Sequence, residues 1–258
     1  MDCTACLLAG WSAGIVALVC VVGHGWLTRR AAEPPAGAVG ALATEFPRVA
    51  AWRLASALVD AEGDLADAAA AMRATEEWRA AHPDFAGACH PPAVVERRGV
   101  VRDLDVRETR WNSQIGMNVT GRCVVVDLVA WHAAEDEVTV DHVARAALCS
   151  VERAVRDGLG VTLALRPSGN MLGPARQVLE RVVVDMTRRY GGTLVAIWAL
   201  PCGWALRALL SAAKLYVPGH TTVFVMSPDD VARGHVGGRP LTAGEAALVR
   251  GVLGGPQI

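Results

Sequence analysis

The hydrophobic pattern begins with an uncharged run, Cys6 to Leu27, of 22 residues in which Leu7, Leu8, Ile15, Val16, Leu18, Val19, Val21 and Val22 supply the apolar mass. At about 1.5 Å of rise per residue, a helix of that length reaches roughly the 30 Å of a hydrocarbon core. Asp2 precedes the run and Arg29-Arg30 follow it, opposite to the charge order of a cleaved signal peptide. Residues 1–30 are therefore expected to be an uncleaved transmembrane anchor. The retained positive charge gives a single-pass membrane protein with its body facing the cytosol. Trp11 and Trp26 sit where interfacial belts form, and Gly10-Trp-Ser-Ala-Gly14 has the spacing that lets two membrane helices self-associate. Residues 31–44 read as a Pro, Gly and Ala linker, and folding should resume near Glu45-Phe46.

Beyond the linker the apolar period switches between helix and strand. Val49 to His82 predicts two helices split at Gly63, with Asp64 as N-cap of the second and Pro83 as its end. Pro91-Pro92 and the charged stretch Glu96 to Arg110 predict an irregular connector. Cys123 to Leu128, apolar except for Asp127, has the pattern of a strand buried on both faces. A helical stripe of Val143, Ala147, Val151 and Val155 follows within 140–158. Next come a strand at 161–165, a helix at 174–190, a strand at 193–200, a helix from Trp204 to Val217, a strand at 222–226 and a short helix from Leu241 to Leu253. Strands alternating with helices imply parallel β-α-β units and an α/β fold.

Composition narrows the function. Lys and Arg total 25 against 26 Asp and Glu, so no basic field marks a nucleic-acid partner. The excess of Ala, Val and Leu fits small-residue helices around a lined cavity, and fits an Ala-rich genome equally well. Cysteines 3, 6, 20, 89, 123, 149 and 202 form an odd, scattered set, which points to a reducing compartment. Cys3-Thr-Ala-Cys6 lacks the second pair or histidines that zinc needs; palmitoylation beside the membrane is the other use open to it. There is no GxSxG, HExxH, Walker loop or GxGxxG after a strand, so no catalytic residue, metal ligand or cofactor is assigned and the chain does not read as an enzyme. His132 and His142 flank Glu135, Asp136 and Glu137, read here as a solvated acidic turn before a helix. Asn118-Val-Thr120 is a glycosylation sequon that a cytosolic body would leave unmodified.

Three ordered motifs carry a resemblance. Trp52-Arg-Leu-Ala-Ser-Ala-Leu58, Asp64 to Met72 and Thr75 to His82 form paired helices ending in Glu77-Trp78-Arg79. Gly121-Arg122-Cys123-Val-Val-Val126 has the look of a first strand. Thr193-Leu-Val-Ala-Ile-Trp-Ala-Leu200, Pro201, the helix at 204–217 and Thr222-Val-Phe-Val-Met226 follow as strand, Pro-Trp turn, helix and strand. The set resembles the CRAL-TRIO lipid-binding family, phosphatidylinositol-transfer-protein-like, with its N-terminal helical CRAL-TRIO-N region, over roughly residues 46 to 230. The implied fold is a mixed, mostly parallel sheet flanked by helices around an apolar pocket. The implied bounds are 45–90 for the helical region, 91–235 for the lipid-binding domain and 236–258 for a short C-terminal helix and tail.

The resemblance also implies a function: membrane-tethered binding or transfer of a lipid or small hydrophobic molecule through a gated pocket. The gate is the helix at 204–217, where Arg207, Ser211 and Lys214 share a polar stripe, although an ordinary amphipathic helix gives the same pattern. Implied ligand contacts are Tyr190, Ala196, Trp198, Trp204, Leu209, Leu210, Lys214, Thr222 and Phe224. Tyr190 and Thr222 stand where inositol-lipid-binding members carry Glu and Lys, Arg166 replaces an acidic strand residue, and the closing Tyr-Gly-Gly segment is absent. The alternative reading is a ligand-free scaffold or targeting module, distinguished by large side chains filling the pocket.

Overall fold

The computed structural model describes residues 37–86, 89–167, 174–190, 192–203 and 220–254. A helical region comes first: α1 (Ala38–Glu45), α2 (Ala51–Asp60), α3 (Leu65–Ala81) and α4 (Pro83–Ala86). After α5 (Ala93–Arg98), β1 (Val101–Asn112) turns back into β2 (Met117–Asp127). Then follow α6 (Leu128–His132), α7 (Val140–Arg156), β3 (Gly160–Arg166), α8 (Pro174–Arg189), β4 (Leu194–Ala199) and β5 (Thr222–Val225). The C-terminal part holds α9 (Pro228–Arg233), the strand pair β6 (His235–Val236) and β7 (Arg239–Pro240), and α10 (Ala243–Leu253). The main sheet runs β1-β2-β3-β4-β5; β1 pairs antiparallel with β2, and all other neighbours are parallel. The mixed, mostly parallel α/β sheet is thus present.

Alternation along the strands sorts the core into two layers. Val124, Val126, Leu163, Leu165, Ile197 and Ala199 face α7 and α8, whose Val143, Ala147, Val151, Val178 and Val182 cover them. On the other face, Cys123, Val125, Ala164, Ala196, Trp198 and Met226 meet Leu248, Val249 and Val252 of α10. The apolar strand runs follow from this arrangement, since strands covered on both sides have no solvated face to make polar. The helical region has its own small core of Leu42, Leu54, Leu58 and Met72. α2 then packs Ala55 and Val59 against Val119 and Val195 of the sheet. Register slips at Val195, and Gly160 beside it admits no side chain: a Cβ there would lie 2.2 Å from Val195 Cγ2.

Several expectations are corrected. The charged stretch Glu96 to Arg110 is not irregular; it finishes α5 and enters β1. Its strand is held by Val101, Leu104 and Val106 pointing into the two cores, while its charges find partners. Asp103 pairs with Arg153 at 3.1 Å, and Arg102 donates to the Gly251 and Val252 carbonyls at the end of α10. β2 begins at Met117, six residues before the expected strand, because β1 pairs with that extension. α1 stands where the linker was expected to end.

A disulfide joins Cys89, ahead of α5, to Cys149 in α7. Such bonds persist in oxidising surroundings, which overturns the expected reducing compartment and removes the premise for an unmodified Asn118, whose side chain is exposed. The expected localisation, a single-pass membrane protein with a cytosolic body, is likewise corrected. Among the described residues no helix is long and apolar enough to cross a membrane. The run Cys6 to Leu27, with its Gly10 to Gly14 self-association motif, lies outside them.

Candidate functional site

The sheet face away from α7 and α8 carries three of the ligand contacts implied by the resemblance, Ala196, Trp198 and Phe224. Ala196 and Trp198 are fully buried there. Trp198 lies in register with Phe224 on β5, and the two rings stack with centroids 4.4 Å apart and planes at 22°. Arg110, from β1, reaches over both rings, its guanidinium carbon 4.4 Å from the Phe224 centroid and 5.1 Å from that of Trp198. This is cation–π geometry in a desolvated place, where the attraction is strongest.

Carboxylates hold that guanidinium in place. Arg110 Nη2 donates to Glu108 and, at 2.7 Å, to Oε1 of Glu245. Glu245 is 1% exposed and also accepts from Arg239 at 2.6 and 2.8 Å and from the Thr242 amide at 2.8 Å. Burial alone would raise the Glu245 pKa. The Arg239 and Thr242 hydrogen bonds, with Arg110 behind them, instead lower it to about 2. On Trp198, Arg110 and Glu108, three buried polar atoms remain without a hydrogen-bond partner among the described residues: Nε1 of Trp198, Nε of Arg110 and Oε2 of Glu108. An apolar floor with unpaired donors at one guanidinium suits an amphiphile that offers an oxygen acceptor.

Of the other implied contacts, Thr222 opens β5 with its side chain exposed. Just before it, His220 is 2% exposed, with Nδ1 2.9 Å from Oδ1 of Asp60 at the end of α2. Trp204, Leu209, Leu210 and Lys214, with Arg207 and Ser211, lie outside the described residues. So does the rest of the expected gate. Two clefts of about 450 and 500 Å3 flank α2, and neither is lined by Ala196, Trp198 or Phe224.

Tyr190 is buried, away from that face, in the junction between the helical region and the sheet layer. Its hydroxyl donates to Glu152 of α7, which also accepts two bonds from Arg79, at 2.7 and 3.1 Å. Burial first, and the adjacent Glu152 carboxylate second, push the Tyr190 pKa above its ordinary value. Trp78 meets the Tyr190 ring edge-on at 5.6 Å and carries Arg189 over its own face at 4.8 Å. The Glu77-Trp78-Arg79 motif therefore fastens α3 to α7 and α8. Arg166, standing where relatives carry an acid, donates to Asp127 on the neighbouring strand at 3.1 Å.

The sequence reading missed Arg110, Glu108, Glu245 and Arg239. One signal was available: Thr242-Ala-Gly-Glu245 has capping-box spacing, and the structure forms that box at the start of α10. His142 similarly completes a capping box with Thr139, and His132 lies 3.2 Å from Glu135. Among the described residues no group of three or more His, Cys, Asp or Glu is placed to hold a metal ion.

No protein-family model and no curated protein sequence matches this chain. Among solved structures it is similar to the crystal structure of Sfh5, a protein of the Sec14 (CRAL-TRIO) family. The two agree with a TM-score of 0.53 at 10% identity, over 87% of this chain and 81% of that one. Likeness at that identity is a likeness of fold.

Proposed function

We propose that this chain binds a lipid or small hydrophobic molecule against the sheet face bearing Ala196, Trp198 and Phe224, and exchanges it with a bilayer. The observation that carries the proposal is the Trp198–Phe224 stack beneath Arg110, with the Trp198 N–H buried and without a partner among the described residues. A buried indole normally finds an acceptor, and leaving the N–H unpaired costs about 1–3 kcal/mol. A ligand carbonyl or hydroxyl oxygen would remove that cost while its apolar body covers the aromatic pair. The fold shared with Sfh5 supports this reading, and the gating role of 204–217 rests on the family resemblance alone. Tyr190 and Thr222 stand where inositol-lipid-binding members carry Glu and Lys, so weakly polar ligands are favoured over phosphatidylinositol.

The second reading, a ligand-free scaffold, draws on α10, which lays Leu248, Val249 and Val252 on the same face. Mass spectrometry of molecules extracted from the purified full chain separates the two. Binding predicts a copurifying hydrophobic compound with an oxygen acceptor, depleted in Trp198→Phe. Finding no such compound, together with no uptake of fluorescent lipid from phosphatidylcholine vesicles, would establish the scaffold.

A further inference from the structure

Where the helical region meets the N-terminal end of β3, a cleft of about 450 Å3 gathers Arg48, Arg53, Arg79 and Arg156 beside Trp52 and Glu76. Arg53 is only 3% exposed, yet neither its Nε nor its Nη2 has a hydrogen-bond partner among the described residues. A buried guanidinium in that state is costly, and burial pushes its pKa below the ordinary arginine value. Arg79 is engaged by Glu152 and Glu76, and Arg156 approaches Glu152 at 3.8 Å. Arg48 is exposed and has no ion pair among the described residues. Among the described residues, two carboxylates, Glu76 and Glu152, are set against these four guanidiniums, an excess of two positive charges.

α2 starts at the same place. Its N-cap is Ala50, with no side-chain cap and no acid in its first turn, and Ala50 and Trp52 line the cleft. Of its first amides, that of Arg53 donates to the Ala50 carbonyl at 2.9 Å, which leaves those of Ala51 and Trp52 without a partner among the described residues at the positive end of the helix dipole. Donors, dipole and net charge all ask for a doubly charged anion, and the guanidinium fork matches phosphate oxygens in pairs.

We propose that this cleft binds a phosphate monoester dianion, with Arg53 and Arg48 as its principal ligands and the start of α2 as its backbone cradle. The site is separate from the Trp198 face and does not depend on the function proposed for that face. An anion here would also draw α2 and α7 together across the junction that Arg79 and Glu152 already bridge.

Binding to the full chain would be measured by calorimetry with glycerol phosphate, and by sedimentation with phosphatidylcholine vesicles with and without phosphatidic acid. Saturable binding in either arm, beyond that of chloride at equal ionic strength, is expected, and the arm that binds names the source as soluble or lipid. Arg53→Met keeps the apolar stem and removes the orphaned charge. It should lower affinity by about tenfold or more while raising the thermal midpoint of the ligand-free protein. Arg48→Glu, at an exposed position that leaves the core untouched, should abolish binding. The absence of phosphate-specific binding in both arms would overturn the proposal. So would unchanged affinity in Arg48→Glu, or an Arg53→Met protein that is less stable and binds as before.

Discussion

The Tyr190 hydroxyl donates a 2.9 Å hydrogen bond to Oε2 of Glu152, a carboxylate whose side chain has no exposed surface. Arg79 reaches the same carboxylate from α3, so one buried acid joins three elements. Tyr190→Phe should destabilise the protein by about 1 kcal/mol in urea unfolding. Glu152→Ala, which strands the guanidinium, should cost about 3–5 kcal/mol. Because both remove one network, adding Tyr190→Phe to Glu152→Ala should cost less than Tyr190→Phe does alone.

Glu245 gives a pH dependence of definite sign. Its carboxyl lies at about 2 in the folded chain against an ordinary 4.5, so its contribution is complete above the ordinary value and fades as pH falls toward 2. Glu245→Gln should therefore be less stable than the parent at neutral pH, and the gap should close in urea titrations taken progressively nearer pH 2. A gap that stays constant over that range would refute the assignment.

The Cys89–Cys149 bond closes a separation of 60 residues, for which loop entropy gives about 4 kcal/mol. Adding a reductant, or making Cys89→Ala, should lower the unfolding midpoint by equal amounts. Cys123 should behave differently. Burial pushes its thiol up to about 12, so it should resist alkylation in the folded protein and react only after unfolding.

At Gly160 the sheet has no room for a methyl group, since a Cβ there falls 2.2 Å from Val195 Cγ2. Gly160→Ala should cost about 1–3 kcal/mol. Val195→Ala in the same chain should recover part of that loss, a coupling measurable by a double-mutant cycle.

The parallel strands were legible because β2, β3 and β4 are covered on both faces and read as unbroken apolar runs. β1 was not, because it is an edge strand whose Arg102, Asp103 and Arg110 pair with groups far along the chain, so its charges imitate a loop. α1 escaped notice because Ala and Gly suit a linker as well as a short helix. The cysteine pairing lay beyond reach, since nothing local brings Cys89 to Cys149. At the candidate site, the Trp198 and Phe224 strands could be read from their apolar period. Arg110 and Glu245 could not, because their relation exists only once α10 crosses the sheet. Arg53 looked like one more polar position on an amphipathic helix, and only the packing of α2 against the sheet makes it buried.

The Arg110–Glu245 contact spans 135 residues, and that distance orders events on the ribosome. β1 through β5 leave the exit tunnel before α10 does, so Arg110 lacks Glu245 and the Trp198, Leu200 and Met226 face has no cover from that helix in the interval. Until α10 emerges, this face of the sheet lacks both the apolar cover of Leu248, Val249 and Val252 and the carboxylate of Glu245.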